Sequence, residues 1–172
     1  MNYPNIPEIV RNLRAKADCL TIPVNVIRIA HFLGIKVYGD ILPDDISGIL
    51  DVRSEPVILI NKSQVSYRQR FSIAHELGHF QLHHLMGIIH VDKKSYYRNE
   101  KSAGGLDEME IMANKFAAEL LMPEKELCDE LDKHDDFIDT DVDIIAEMAR
   151  KFEVSTTAMS FRIQNLGYSW FQ

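Results

Sequence analysis

Two histidines four residues apart, His75 and His79, constrain this chain more than any other feature of its sequence. The segment from Arg68 to Met86 contains no proline and carries apolar residues at helical spacing, so it predicts one continuous helix. A four-residue step is slightly more than one helical turn, and both imidazoles therefore leave the same face. That pair can bind one Zn²⁺, and Glu76 beside it can accept a proton from a water that the metal activates. The pattern predicts a zinc hydrolase, and a peptidase in particular.

A catalytic zinc site needs a third protein ligand and one open position for water. A histidine six residues after His79 would extend the motif, but Leu85 stands at that position. His83 lies one further turn along the same helix. Three ligands in line along a straight helix cannot all reach one ion about 2 Å away, so His83 is not expected to be a ligand. The third ligand must come from another segment.

A second predicted helix, Asp107 to Leu121, can supply that ligand. Glu110 and Asn114 lie one turn apart on it, which suits a metal-binding carboxylate and an amide that hydrogen-bonds a ligating imidazole. Glu108 is the rival carboxylate, but it has no polar partner one turn on, and Glu119 is predicted to lie on a solvated face. Small residues would let the two helices pack closely enough for the ligands to converge: Ala74, Gly78, Ala113 and Ala117.

The segment from Gly87 to Leu106 is longer than a simple connection between two helices requires, and long loops are often functional. A tyrosine or arginine there could stabilise the oxyanion of a tetrahedral intermediate. Tyr97 is the first candidate for this role and Tyr96 the second. His90, in the same segment, could also approach the site.

The sequence around these residues resembles the ImmA/IrrE family of metallopeptidases. The resemblance rests on three strings, IAHELGHFQLHH, EIMANKFAAELLMP and NKSQVSYRQRFS. It covers roughly residues 23–123, and the tail 154–168 also suits it. The family has an HExxH helix followed by a glutamate helix, as in thermolysin-like zincins. The resemblance implies that zinc is bound by His75, His79 and Glu110. It also implies that Glu76 is the base and that Asn114 lies beside a ligand.

The same resemblance suggests a biological setting. Such proteins are often paired with a helix-turn-helix repressor in mobile-element, stress-response or toxin–antitoxin-like systems. It therefore implies a zinc-dependent endopeptidase that cleaves or regulates a separate repressor or antitoxin. Two alternatives stay open. One is a non-proteolytic, metal-stabilised module that binds a repressor or DNA, and the other is a peptidase that digests unfolded proteins in general.

The order of predicted elements indicates an α+β fold, and the resemblance implies that this fold is a small zincin-like domain. N-terminal helices occupy residues 1–34, and short strands within 35–61 form a mainly antiparallel sheet beside the HExxH helix. The metal-site helices occupy 64–123 and a C-terminal helical region occupies 124–172, so residues 1–172 are predicted to form one metallopeptidase domain.

An edge strand of this sheet could pair with an extended substrate, or the strands could only pack. Residues 47–50 or 56–60 are the candidates for such an edge.

Composition limits the compartment and the partners. The two cysteines show no CxxC spacing, and no apolar run is long enough for a leader or a membrane span, so a cytoplasmic protein is expected. The net charge of −7 argues against direct binding to nucleic acid or anionic membrane. Residues 142–166 have the outline of a helix-turn-helix, but acidic residues outnumber basic ones from position 139 onward. These helices are expected to pack against the core.

Overall fold

The computed structural model describes residues 4–83, 87–93, 104–134 and 141–167 of the chain. It confirms the predicted α+β class. The helices are α1 (Ile6–Lys16), α2 (Val26–Phe32), α3 (Ser66–His83), α4 (Gly104–Leu121), α5 (Glu124–Leu131), α6 (Asp141–Phe152) and α7 (Thr156–Asn165). The strands are β1 (Lys36–Asp40), β2 (Ile46–Asp51), β3 (Val57–Asn61) and β4 (Ile89–Lys93). A short 3₁₀ turn follows α5.

Polar side chains fix where several helices begin. Asn5 and Asn25 precede α1 and α2, and each accepts a hydrogen bond from a backbone N–H group in the first turn. Ser155 caps α7 in the same way. These caps satisfy donors that a helix leaves without an internal partner, so they help to fix where these short helices begin.

The four strands form one mixed sheet in the order β1-β3-β2-β4. The strand β3 pairs parallel with β1 and antiparallel with β2, and β2 pairs antiparallel with β4, so the sheet is mainly antiparallel as predicted. The edges are β1 and β4. The expectation that residues 47–50 or 56–60 offer a free edge is wrong, because β2 and β3 are paired on both sides.

The presence of the strand β4 contradicts a second expectation from the sequence. The sequence predicts a long loop over residues 87–106, whereas Ile89–Lys93 pair with β2 and extend the sheet. Five residues that include a histidine and two charges show too little apolar alternation to predict a strand. Their pairing depends on β2, which lies far away in the sequence.

Helices α3 and α4 approach each other closely at glycine and alanine positions, as the small residues predict. A Cβ atom placed on Gly78 would lie 3.0 Å from the Cα of Ala113, 3.1 Å from its carbonyl oxygen and 3.2 Å from the Cβ of Phe116. Ala74, Ala113 and Ala117 are fully buried. The two backbones are therefore nearly in contact, and short side chains from both helices can meet.

The C-terminal helices pack against this core, as expected. Met148 and Phe152 of α6 and Met159 and Ile163 of α7 belong to the same apolar cluster as Leu77 of α3.

None of the helices within the described ranges has the length and apolarity that a membrane span needs.

The prediction that Glu119 lies on a solvated face is wrong. The residue is only 7% exposed and forms an ion pair with Arg162 of α7. The Arg162 Nε atom also donates to the Met122 carbonyl oxygen at 3.1 Å. The pattern of α4 alone could not indicate this, because the cover comes from a helix about forty residues further along the chain.

The contact at Gly78 makes a prediction about stability. Alanine is favoured over glycine in a helix by about 1 kcal/mol, but a methyl group here would press on the α4 backbone, and overpacking costs about 1–3 kcal/mol. We expect Gly78→Ala to lower the free energy of unfolding by up to about 2 kcal/mol and to weaken metal binding, measured by urea denaturation and by metal titration. Gly39→Ala is the control, because its Cβ would meet Lys62 Cβ at an ordinary 3.5 Å. A Gly78→Ala protein more stable than the wild type would contradict the proposed steric requirement.

Candidate metal centre

The HExxH segment lies in the interior of the protein. Every residue of α3 from Ser72 to His79 is buried, and His75, Glu76 and His79 are 2%, 0% and 0% exposed. Polar side chains this deep require hydrogen bonds, ion pairs or a metal ion, because burial removes their contact with water.

The structure brings His75, His79 and Glu110 together, and their potential ligand atoms all lie within 4.8 Å of one another. The His75 Nε2 atom lies 3.2 Å from one carboxylate oxygen of Glu110, and the His79 Nε2 atom lies 3.2 Å from the other. The two Nε2 atoms are 3.0 Å apart. Donors arranged around a four-coordinate ion lie roughly 3.3–3.5 Å from one another, so this cluster fits a divalent metal ion with little adjustment.

Two neighbours hold the His75 ring in place. Its Nδ1–H group donates to the Asn114 Oδ1 atom at 3.1 Å, which leaves the Nε2 atom directed toward Glu110 and His79. The Phe71 ring stacks on the imidazole, with ring centroids 6.1 Å apart. Asn114 therefore has the contact that its spacing from Glu110 predicts.

A cavity of about 940 Å³ adjoins these two neighbours. Phe71 and Asn114 form part of its lining, together with apolar residues of α4 and α7 that include Met112 and Phe161. A ligand in this cavity would thus contact the side chains that hold His75.

Glu76 has one oxygen that is hydrogen-bonded and one that is not. Its Oε2 atom accepts from the Nδ1–H group of His90 at 3.0 Å. Its Oε1 atom is buried and has no hydrogen-bond partner among the described residues. A buried carboxylate that is joined through one histidine to a cluster of metal-type donors suits a general base beside a metal ion.

His90 is part of this centre, although the sequence showed only that it could approach. Its Nε2 atom lies 2.9 Å from a Glu110 oxygen, and its ring centroid lies 3.8 Å from that of His79. The residue is presented by β4, the strand that sequence patterns did not predict. A local signal for its role was absent, because the pairing of β4 with β2 determines where His90 lies.

Burial and mutual contacts shift the ionisation of the cluster. Burial lowers the pKa of His79 to about 4, so its ring is neutral at pH 7. Burial also acts to lower the pKa of His90, but the carboxylates of Glu110 and Glu76 outweigh it and raise that pKa to about 10. Burial opposes the ionisation of Glu110, yet its three histidine contacts hold its pKa well below the usual range. Desolvation raises the pKa of Glu76, which brings this carboxyl group closer to the range of a general base at neutral pH.

The remaining candidates lie apart from the cluster or outside the described residues. The Nε2–H group of His83 donates to the Met109 carbonyl oxygen at 3.1 Å, and this contact ties α3 to α4. Glu108 is half-buried and is not among the three clustered ligands. Tyr97 and Tyr96 lie outside the described residues, so a role for Tyr97 as a catalytic residue stays a prediction.

Comparison with known proteins gives three matches. A model of the IrrE N-terminal-like domain, a peptidase family, matches residues 30–164. The protein named uncharacterized immunity region protein 2 of Bacillus phage phi105 is 31% identical over 102 residues, which are 58% of this chain and 60% of that protein. A Mycobacterium tuberculosis transcriptional regulator shares the fold with a TM-score of 0.65 at 18% identity, over 98% of this chain and 49% of the regulator. The matches therefore span three fifths of the phage protein and about half of the regulator.

The geometry makes a prediction about the third ligand. Loss of a residue that hydrogen-bonds a metal ligand weakens metal binding by roughly 10- to 100-fold. We expect Glu110→Gln to weaken metal binding by more than this, because the variant removes a charged ligand itself. Glu108→Gln, two residues away on the same helix, is the matched control and should bind metal like the wild type. Metal titration against a competing chelator measures both. Equal affinities for the two variants would remove Glu110 from the ligand set.

Proposed function

Because the chain belongs to the IrrE N-terminal-like peptidase family, we propose that it is a zinc-dependent endopeptidase that acts on a helix-turn-helix repressor. The observation that carries this proposal is the meeting of His75, His79 and Glu110 around one point, with Glu76 beside them. Two imidazoles and one carboxylate are a usual ligand set for catalytic zinc. Such a set leaves one position open.

The residues of the centre have separate tasks in this mechanism. His75, His79 and Glu110 would hold the ion, and with both histidines neutral the centre keeps a net charge of about +1, which favours an oxyanion. When bound, zinc supplies a Lewis acid that polarises the scissile carbonyl and lowers the pKa of water towards 7. Glu76 accepts the proton of the attacking water at its carboxylate and then delivers it to the departing amine.

The sheet offers a place for the substrate backbone. The strand β4 is an edge strand, and its His90 contacts both Glu76 and Glu110. An extended peptide can add to such an edge through main-chain hydrogen bonds, while its side chains enter neighbouring pockets. The side of β4 that pairs with no other described strand would place a bound peptide next to the centre, and this supports an endopeptidase that takes extended chains.

Charge and the relatives together favour a repressor as the substrate. The chain carries a net charge of −7, and proteins that bind DNA present basic surfaces, so the two would attract each other. One relative is named as an immunity region protein of a phage, and the structural neighbour is named a transcriptional regulator. We propose that this chain acts in a mobile-element, stress-response or toxin–antitoxin-like system.

The substrate proposal is tested with the zinc-loaded protein and any helix-turn-helix repressor that is encoded next to its gene. We expect fragments of the repressor that disappear when a chelator is added. Unfolded casein under the same conditions is the comparison substrate. An intact repressor in a stable complex would indicate a binding module instead, and equal digestion of casein would indicate a general peptidase.

The role of Glu76 makes a sharper prediction. Glu76→Gln keeps the size of the side chain but cannot accept a proton, so it should retain one equivalent of zinc and lose about 10²- to 10⁴-fold in cleavage rate. Glu108→Gln is again the control and should cleave like the wild type. Repressor cleavage followed by gel electrophoresis, with metal content measured on the same samples, checks both. Undiminished cleavage by Glu76→Gln would exclude this residue as the base.

A further inference from the structure

We propose that His90 is a positioning residue for Glu76: its Nδ1–H group holds the carboxylate at Oε2, so that the proposed base stays turned toward the metal ligands. The inference rests on the proposed function, because it assigns His90 a part in that reaction. It adds His90, a residue of the edge strand β4, to the proposed metal ligands and base.

The contacts of Glu76 are asymmetric. The Oε2 atom accepts from the His90 Nδ1–H group at 3.0 Å, while the buried Oε1 atom has no hydrogen-bond partner in the described part of the chain. Rotation about the terminal side-chain bond of a glutamate is soft, so burial alone does not decide where the two oxygens point. A hydrogen bond to a charged acceptor is among the stronger ones and can decide it.

The sheet encloses this carboxylate from the other side as well. A Cβ atom on Gly48 would lie 3.4 Å from Glu76 Oε1, so the β2 backbone passes close to the unpartnered oxygen. The strands β2 and β4 are paired with each other, with Leu50 opposite His90. The pairing of β2 with β4 therefore sets the distance between the β2 backbone, which lies beside Glu76 Oε1, and the His90 imidazole, which binds Glu76 Oε2.

The two ring nitrogens of His90 make different contacts, and these can be separated. The Nδ1 atom contacts Glu76, whereas the Nε2 atom lies 2.9 Å from a Glu110 oxygen. The amide nitrogen of an asparagine reaches the position of Nδ1, and that of a glutamine reaches the position of Nε2. His90→Asn thus keeps the contact with Glu76, and His90→Gln keeps the contact with Glu110.

The experiment measures kcat, KM and zinc affinity of the wild type and of the His90→Ala, His90→Gln and His90→Asn variants, with the repressor as the substrate. We expect His90→Ala and His90→Gln to lower kcat by about 10- to 100-fold, with KM and zinc affinity little changed. We expect His90→Asn to restore most of kcat. Rescue by the shorter amide alone is a result that a general structural defect would not give.

Other outcomes overturn the inference. If glutamine rescues and asparagine does not, the contact with Glu110 is the one that matters. A raised KM at unchanged kcat would make His90 a substrate-binding residue, and zinc affinity lost in all three variants would make it a metal ligand.

A double-mutant cycle separates this inference from the proposed function. In the zinc-free protein, His90→Ala should destabilise a Glu76→Gln background less than the wild type, because the buried carboxylate no longer needs a partner. Additive effects on unfolding would overturn the His90–Glu76 contact without reference to catalysis. A wild type that shows no chelator-sensitive cleavage would instead overturn the proposed function, and with it the catalytic part of the inference, while coupling in the cycle would still establish the contact.

Discussion

The backbone contact between α3 and α4 at Gly78 and Ala113 determines whether the rest of the centre can form. Packed helices usually lie 8–10 Å apart, a distance set by the side chains at their interface. Histidine and glutamate can meet across such an interface only where the backbones come close. Here a glycine faces an alanine backbone, and the His75 and His79 rings lie 3.2 Å from the Glu110 oxygens. The close approach of the two helix backbones is thus required before charges and hydrogen bonds can act, because without it the three ligands do not meet.

The electrostatics of the centre follow from the burial of two carboxylates among imidazoles. Glu76 is fully buried and Glu110 is partly buried, with 22% of its side chain exposed, and carboxylates in such places need compensating charge or hydrogen bonds. His75, His79 and His90 supply the contacts to Glu110, and His90 alone supplies the described contact to Glu76. A bound divalent cation would supply positive charge at the same point. Apolar residues in these positions would make a simpler core, so the arrangement is better explained by chemistry than by stability.

The part of the site that lies on single helices could be predicted from the sequence, and the part that depends on distant pairing could not. Helical periodicity alone places His75, Glu76 and His79 on α3 and sets Asn114 one turn from Glu110. The position of His90 depends on β4 pairing with β2, and the burial of Glu119 depends on α7, so local patterns indicated neither. The α+β class was predicted because alternating strands and amphipathic helices occupy separate segments. Tyr97 stays a prediction, outside the described residues.

In the proposed mechanism, the strand β4 would both orient the base and bind the substrate backbone. One of its residues, His90, contacts both the proposed base and a proposed ligand, and the strand itself is an edge of the sheet. An edge strand is less constrained than an interior one, because only one side of it is hydrogen-bonded. An extended substrate pairing with β4 would satisfy the other side and restrain the backbone that presents His90. Substrate binding would then also steady the contact that orients Glu76, and a chain that cannot pair with β4 would leave that contact less well held. A preference for extended substrates that pair with β4 would thus arise from the same strand that positions the base.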